Sequence, residues 1–274
     1  REGQIAGMVE GHRQIVFGKQ VMNGGAAFYF LVFLMKISPF ILIGFFLFMF
    51  YKLKFVEIST KIREYVKNKK IDFGLFLSVF YLGYIVFMII APKKIDRYII
   101  FMYPVFAYLA YSGYEFVLSR FKNKSVGVVL TMFLFSVFVL LPIVKIFPWY
   151  FTYTSPIFGN TLFANRIIGQ KSFGVGIPDL KKYILETYEN EPKLGFYDTQ
   201  PMRAIYPNSK IFDVRVYGPG NYDVLILSIN EEMPEKVVNN GEFKFEKSHS
   251  IWINGLEYWR IYNKITLGGD DDGK

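Results

Sequence analysis

Long apolar runs alternate with short basic connections over the first 150 residues, after which the chain takes on a mixed, evenly polar texture. A bilayer core roughly 30 Å thick takes about 20 helical residues to cross. Four runs approach or exceed that length: 26–51, 73–90, 98–118 and 126–147. Glu115 and Lys145 stand near the ends of their runs, where a side chain reaches the interface, whereas Lys36 lies about ten residues inside the first. Pro39 follows three residues later. Either Lys36 snorkels, pairs or lines a cavity within a continuous helix, or the proline breaks the run and brings Lys36 to the interface.

From about residue 151 the periodicities are those of an α/β domain. They predict a helix over 179–189, strands at 193–197, 210–216 and 222–229, and a short helix over 231–239. Two last strands, 242–249 and 256–262, flank the turn signal Asn254-Gly255. The predicted fold class is an α-helical integral membrane region of four transmembrane helices followed by a small extracytoplasmic α/β domain. Its parts are an extracytoplasmic loop segment (1–25), the membrane region (26–150), the α/β domain (151–267) and a disordered tail (268–274, GGDDDGK).

Charge sets the expected orientation. The connections at 52–70 and 120–124 carry ten Lys and Arg, against six in 1–25 and 93–97, so the positive-inside bias places the former in the cytoplasm and the C-terminal domain outside. Phe55, Ile58 and Ile62 recur between basic residues and predict a helix lying on the inner membrane face. The net charge of +9 comes from the first 150 residues, with 18 basic against 7 acidic, while 151–274 carry 14 against 16. That distribution is topology charge and argues against a nucleic-acid partner. The chain has 30 Phe, 20 Tyr and no Cys, which excludes disulfides, thiolate metal sites and cysteine nucleophiles. It begins at Arg1 with no signal-peptide pattern before the first apolar run, and is expected to be part of a longer polypeptide.

Candidate chemistry is sparse. His12 and His249 are far apart, and there is no HExxH, phosphate loop or nucleophile elbow. GVGIP at 174–178 lacks a strand-to-helix nucleotide fingerprint, and His249 reads as an ordinary strand residue. The cluster Lys93, Lys94, Asp96, Arg97 and Tyr98 crowds three basic residues into a short outer loop, against the usual bias. Arginine offers bidentate hydrogen bonds to a phosphate, lysine a point charge and tyrosine a neutral donor. Anchoring at lipid headgroups accounts for the same residues. Lys36, His12 and Arg13 fall on the same side.

EGHRQIVFGKQ (10–20), AFYF followed by KISP (36–39), PKKIDRYIIFMYP (92–104) and the closing SIWINGLEYWRIYN (250–263) together resemble the C-terminal half of glycosyltransferase family 39-like proteins. These belong to the GT-C superfamily, with protein O-mannosyltransferases and lipid A aminoarabinose transferases. The resemblance implies an enzyme that transfers a sugar from a polyprenyl-phosphate carrier to a protein or glycolipid acceptor at the extracytoplasmic face of the cell membrane, without metal or cofactor. By position it assigns Lys93, Arg97, Tyr98, His12, Arg13 and Lys36 to the lipid phosphate, and lays the isoprenoid tail along aromatics such as Phe101, Tyr103 and Phe106. It places the general base, an acidic residue, in an earlier outer loop, so no residue here is expected to be catalytic and Asp96 is expected to partner Arg97. Two other classes stay open: a transporter component, and a non-catalytic anchor presenting an outer sensor or scaffold domain. A transporter places polar groups in mid-span, and 73–90 and the core of 126–147 have almost none.

Overall fold

The computed structural model describes residues 14–21, 24–51, 73–91, 94–188 and 192–266. The inner-face helix expected around 55–66 and the expected tail at 268–274 lie outside them. The chain forms two compact units that divide between Gly169 and Gln170, so residues 151–169 fold with the first.

The first unit opens on a hairpin, β1 (Gln14–Val16) and β2 (Lys19–Val21), turned by Phe17 and Gly18 at φ 50° and 73°. Two adjacent positive-φ residues make the tight turn whose twist suits a two-residue hairpin. Backbone bonds from Phe17 N to Ile167 O and from Gly169 N to Ile15 O, both 2.9 Å, tie it to the end of a short helix, Thr161–Ile167.

Four spans were expected, and the described residues correct that number. One helix is long and apolar enough to cross a membrane: Lys124–Ile146, 23 residues, with 6% of its apolar window buried. The 26–51 run is two helices, α1 (Phe28–Lys36) and α2 (Pro39–Tyr51), bent by 113°. Ile37 is extended at ψ 138°, and Ser38, preceding proline, is disfavoured in helix. The bent pair passes as one broken span or a re-entrant loop. The 73–90 run is helix α3 (Phe73–Ile90), within which the apolar helix Val79–Ile90 is shorter than a span. The 98–118 run divides into a 3-10 turn, Asp96–Met102, and α4 (Tyr103–Leu118), with Pro104 in its first turn. Its 16 residues extend about 24 Å, short of a bilayer core.

Packing in this unit depends on small residues. At the α2–α4 crossing a Cβ on Gly113 would lie 2.1 Å from Gly44 O and 2.6 Å from Phe48 N, so the two backbones touch. Small residues at a helix crossing let two backbones approach this closely. The long helix Lys124–Ile146, α5, contains a π-type turn at Ser136–Leu140, closed by Leu141 N donating to Ser136 O. The buried core joins Phe28, Val32 and Met35 of α1 to Met88, Ile99 and Met102, with Ala164 and Ile168.

The second unit is a five-stranded mixed sheet. Its strands are β3 (Leu194–Phe196), β4 (Ile211–Asp213), β5 (Val224–Ser228), β6 (Phe243–Ile253) and β7 (Leu256–Thr266), in the order β4-β3-β5-β7-β6. β3 runs parallel to β4 and β5, and β7 antiparallel to β5 and β6. β5 is apolar through Val224–Leu227 because it is central and buried throughout, as a strand covered on both faces should be. Helix Ile177–Thr187 buries Leu180 and Ile184, one turn apart, while Asn254 and Gly255, at φ 48° and 79°, turn the β6–β7 hairpin.

Candidate functional site

The break between α1 and α2 gathers polar groups from distant parts of the first unit. Lys36 ends α1, where a cation is favoured by the helix dipole. Its Nζ donates to Phe151 O at 3.0 Å and Tyr153 O at 2.8 Å, while Ser155 N donates to Met35 O at 2.7 Å. The segment after α5 thus folds back onto the end of α1.

The 3-10 turn Asp96–Met102 approaches the same place. Asp96 Oδ1 accepts the Arg97 backbone N–H at 2.9 Å, and its carboxylate lies within electrostatic reach of Lys36, Tyr29 and Tyr103. Tyr29 OH accepts from Ile95 N at 3.2 Å, and Tyr84 OH donates to Tyr98 O at 2.9 Å, fixing both ends of the DRY segment. Tyr103 stacks on Phe33 with centroids 5.8 Å apart. The side chains of Tyr153 and Ser155 hydrogen-bond each other, while the buried Tyr103 hydroxyl has no hydrogen-bond partner among the described residues. A buried hydroxyl without a partner is costly, so Tyr103, within electrostatic reach of Asp96, marks a place suited to a polar ligand.

Of the sequence candidates, the structure brings Lys36 toward the Asp96–Arg97–Tyr98 turn, with Arg97 and Tyr98 exposed. Lys93, His12 and Arg13 lie outside the described residues. Lys94 takes another role: buried at 3% exposure, it donates to Met88 O, Ile89 O and Ala91 O at 3.2, 2.8 and 3.0 Å. All three ammonium protons therefore cap the end of α3, beside the Tyr29 ring at 5.5 Å. Sequence reasoning missed Tyr29, whose hydroxyl takes the Ile95 N–H, and Tyr153, whose carbonyl takes an N–H of Lys36. Their only signal was the abundance of tyrosine near polar breaks, which does not say which of them converge.

In the second unit the strand order reverses at β3, which puts a topological switch point beside the carboxyl ends of β3 and β5. The charged groups there serve each other. Arg215 makes a two-pronged contact with Asp213, at 2.9 and 2.7 Å, and donates to Tyr197 O at 2.9 Å. The hydrogen bonds from Arg215 hold the Asp213 carboxyl below its ordinary range. Glu231 accepts from Ser228 N at 2.6 Å, and burial pushes its pKa up against the pull of that bond and of Arg260. Arg260 in turn donates to Ser228 O at 3.1 Å and to Glu231 O. Such internal pairing holds loops in place.

Gly176, within GVGIP, is explained by packing, since a Cβ there would lie 2.5 Å from Ile253 Cδ1. His249 stacks flat on Tyr183 at 4.1 Å. Among the described residues no three His, Asp or Glu side chains converge to hold a metal ion. Comparison with protein-family models, with curated proteins and with solved structures finds no match to this chain.

Proposed function

We propose that this chain is the carrier-binding part of a membrane glycosyltransferase that takes its sugar from a polyprenyl-phosphate donor at the extracytoplasmic face. One observation carries the reading: the Lys36 ammonium at a helix break lies within electrostatic reach of the Asp96 carboxylate, with an exposed Arg-Tyr pair beside that carboxylate and the unpartnered Tyr103 hydroxyl within its reach. Lys36 commits two of its three N–H groups to carbonyls, leaving one, among the described residues, for another acceptor. Arg97 supplies a planar fork for a phosphate and Tyr98 a neutral donor. Donors fixed near the phosphate stabilise the charge that builds as the sugar leaves. The exposed apolar helix α5 supplies the membrane attachment.

The reading assigns binding to these residues, so binding is the test. The purified chain in nanodiscs should bind a short polyprenyl phosphate and discriminate against the corresponding polyprenol. Equal affinity for phosphate and alcohol would remove the proposal.

A further inference from the structure

A second feature of the first unit lies away from the helix break. A cavity of about 580 Å³ opens between α2, α4 and α5, within the usual size range of small-molecule sites. Its walls are apolar, among them Ile41, Ala107, Val128 and Phe135. Two polar wall groups are already satisfied: Tyr114 OH donates to Phe40 O at 2.8 Å, and Thr131 Oγ1 to Gly127 O at 2.9 Å. The body of the groove therefore suits hydrocarbon. Glu115 and Lys124, both exposed, line it as well, and among the described residues neither enters an ion pair.

We propose that this groove holds an acyl chain of a phospholipid whose headgroup joins a phosphate to a primary ammonium. Charge complementarity selects that headgroup. Lys124 matches the phosphate and Glu115 the ammonium. A glycerol headgroup leaves Glu115 facing an anionic lipid with no cation of its own. A choline headgroup carries the charge but has no N–H to donate to the carboxylate. The inference rests on the membrane placement proposed above and not on the carrier-phosphate site.

The test is lipid retention. The detergent-purified chain is incubated with equal amounts of phosphatidylethanolamine, phosphatidylcholine and phosphatidylglycerol, and bound lipid is counted by native mass spectrometry. Phosphatidylethanolamine should be bound in roughly three- to fivefold preference to the other two, the size expected of exposed ion pairs. Glu115→Gln, at an exposed position that folding tolerates, should abolish the preference over phosphatidylcholine while lipid is still bound. Val128→Trp, which fills the groove from α5, should release the lipid, and Ala107→Leu, filling it from α4, should do the same. Equal retention of the three lipids, an unchanged preference in Glu115→Gln, or displacement one for one by polyprenyl phosphate would each overturn the assignment. Polyprenyl-phosphate binding should be untouched by Glu115→Gln, so the failure of one proposal is distinguishable from the failure of the other.

Discussion

Ser38 Oγ donates to the carbonyl oxygen of Phe138 at 2.9 Å, and Phe138 stands four residues before Pro142. Proline has no N–H, so the carbonyl four residues before it loses its helical partner. Here Ser38, from the break between α1 and α2, supplies Phe138 O with a donor where an α-helical register would need the N–H that Pro142 lacks. The same hydroxyl accepts from Phe40 N at 3.3 Å, capping the start of α2. Ser38→Ala should therefore cost about 0.5–1.5 kcal/mol, the net worth of a typical hydrogen bond, since this one is part-buried. Pro142→Ala returns an N–H to α5, so Ser38→Ala with Pro142→Ala should lose less than Ser38→Ala alone. Thermal unfolding of the four proteins of this cycle in detergent gives the coupling, and strict additivity would rule the link out.

Two helical glycines should respond oppositely to alanine. At Gly113 a Cβ meets the Gly44 carbonyl and the Phe48 N, both backbone and unable to swing aside, whereas at Gly83 it meets nothing within 4 Å. Gly113→Ala should destabilise the α2–α4 pair by about 1–3 kcal/mol, as overpacking does. Gly83→Ala should stabilise its helix by about 0.5–1 kcal/mol through propensity alone. Detergent-denaturation midpoints followed by helical circular dichroism decide between this and a common sign.

Glu231 gives the α/β unit a pH dependence of defined sign. Burial raises its folded-state pKa above the ordinary 4.5, so the folded unit binds a proton more readily than the unfolded chain. The cost of burying the charge is present above the folded pKa and is relieved as pH falls through it toward the unfolded value. Glu231→Gln should therefore protect the β5 amides better than glutamate at pH 7, with the advantage shrinking as the medium is acidified toward pH 4.5. Asp213 runs the other way. Its depressed pKa stabilises the fold above the unfolded value and is lost as pH falls through the folded one. Hydrogen exchange on the Asp213→Asn and Glu231→Gln variants separates the two.

What the sequence made legible were features with local causes. The β6–β7 hairpin follows from Asn254-Gly255, since these residues reach positive φ at least cost, and β5 from its apolar run. Lys36 and Arg97 stood out because a charge in or beside an apolar run needs a reason. Run length, by contrast, overstated the spans. Hydropathy counts 98–118 as one segment, yet the chain spends its first residues on a 3-10 turn and begins α4 at Tyr103. Helix Thr199–Ile205 escaped because it is seven residues long with Pro201 in its first turn. The partners of Lys36 were invisible for a third reason: Tyr153 is 117 residues from Lys36, and only the return of the chain after α5 brings its carbonyl to the ammonium.

The absence of cysteine makes topology directly measurable. If α5 spans the membrane, Lys122→Cys before it and Asn208→Cys in the α/β unit should label on opposite sides, the latter from outside intact cells. Both positions are exposed. Labelling of the two from one side would show that α5 does not cross.

Arg97 and Tyr98 carry the sharpest test of the carrier-phosphate reading. If the guanidinium grips the phosphate, Arg97→Ala removes charge-assisted hydrogen bonds and should weaken polyprenyl-phosphate binding by roughly one to two orders of magnitude. Arg97→Lys restores the charge but not the planar fork, so it should recover little of the loss. Tyr98→Phe removes a single hydroxyl, while the backbone carbonyl of Tyr98 keeps its bond from Tyr84, so the turn stays in place and the loss should be smaller. Binding of the matching polyprenol, which has no phosphate, should be the same in all three variants, and this separates a phosphate contact from a disturbed turn. If the pair only anchors the helix end among headgroups, Arg97→Lys and Tyr98→Phe bind the phosphate as the unaltered chain does. That outcome would remove Arg97 and Tyr98 from the carrier-phosphate site.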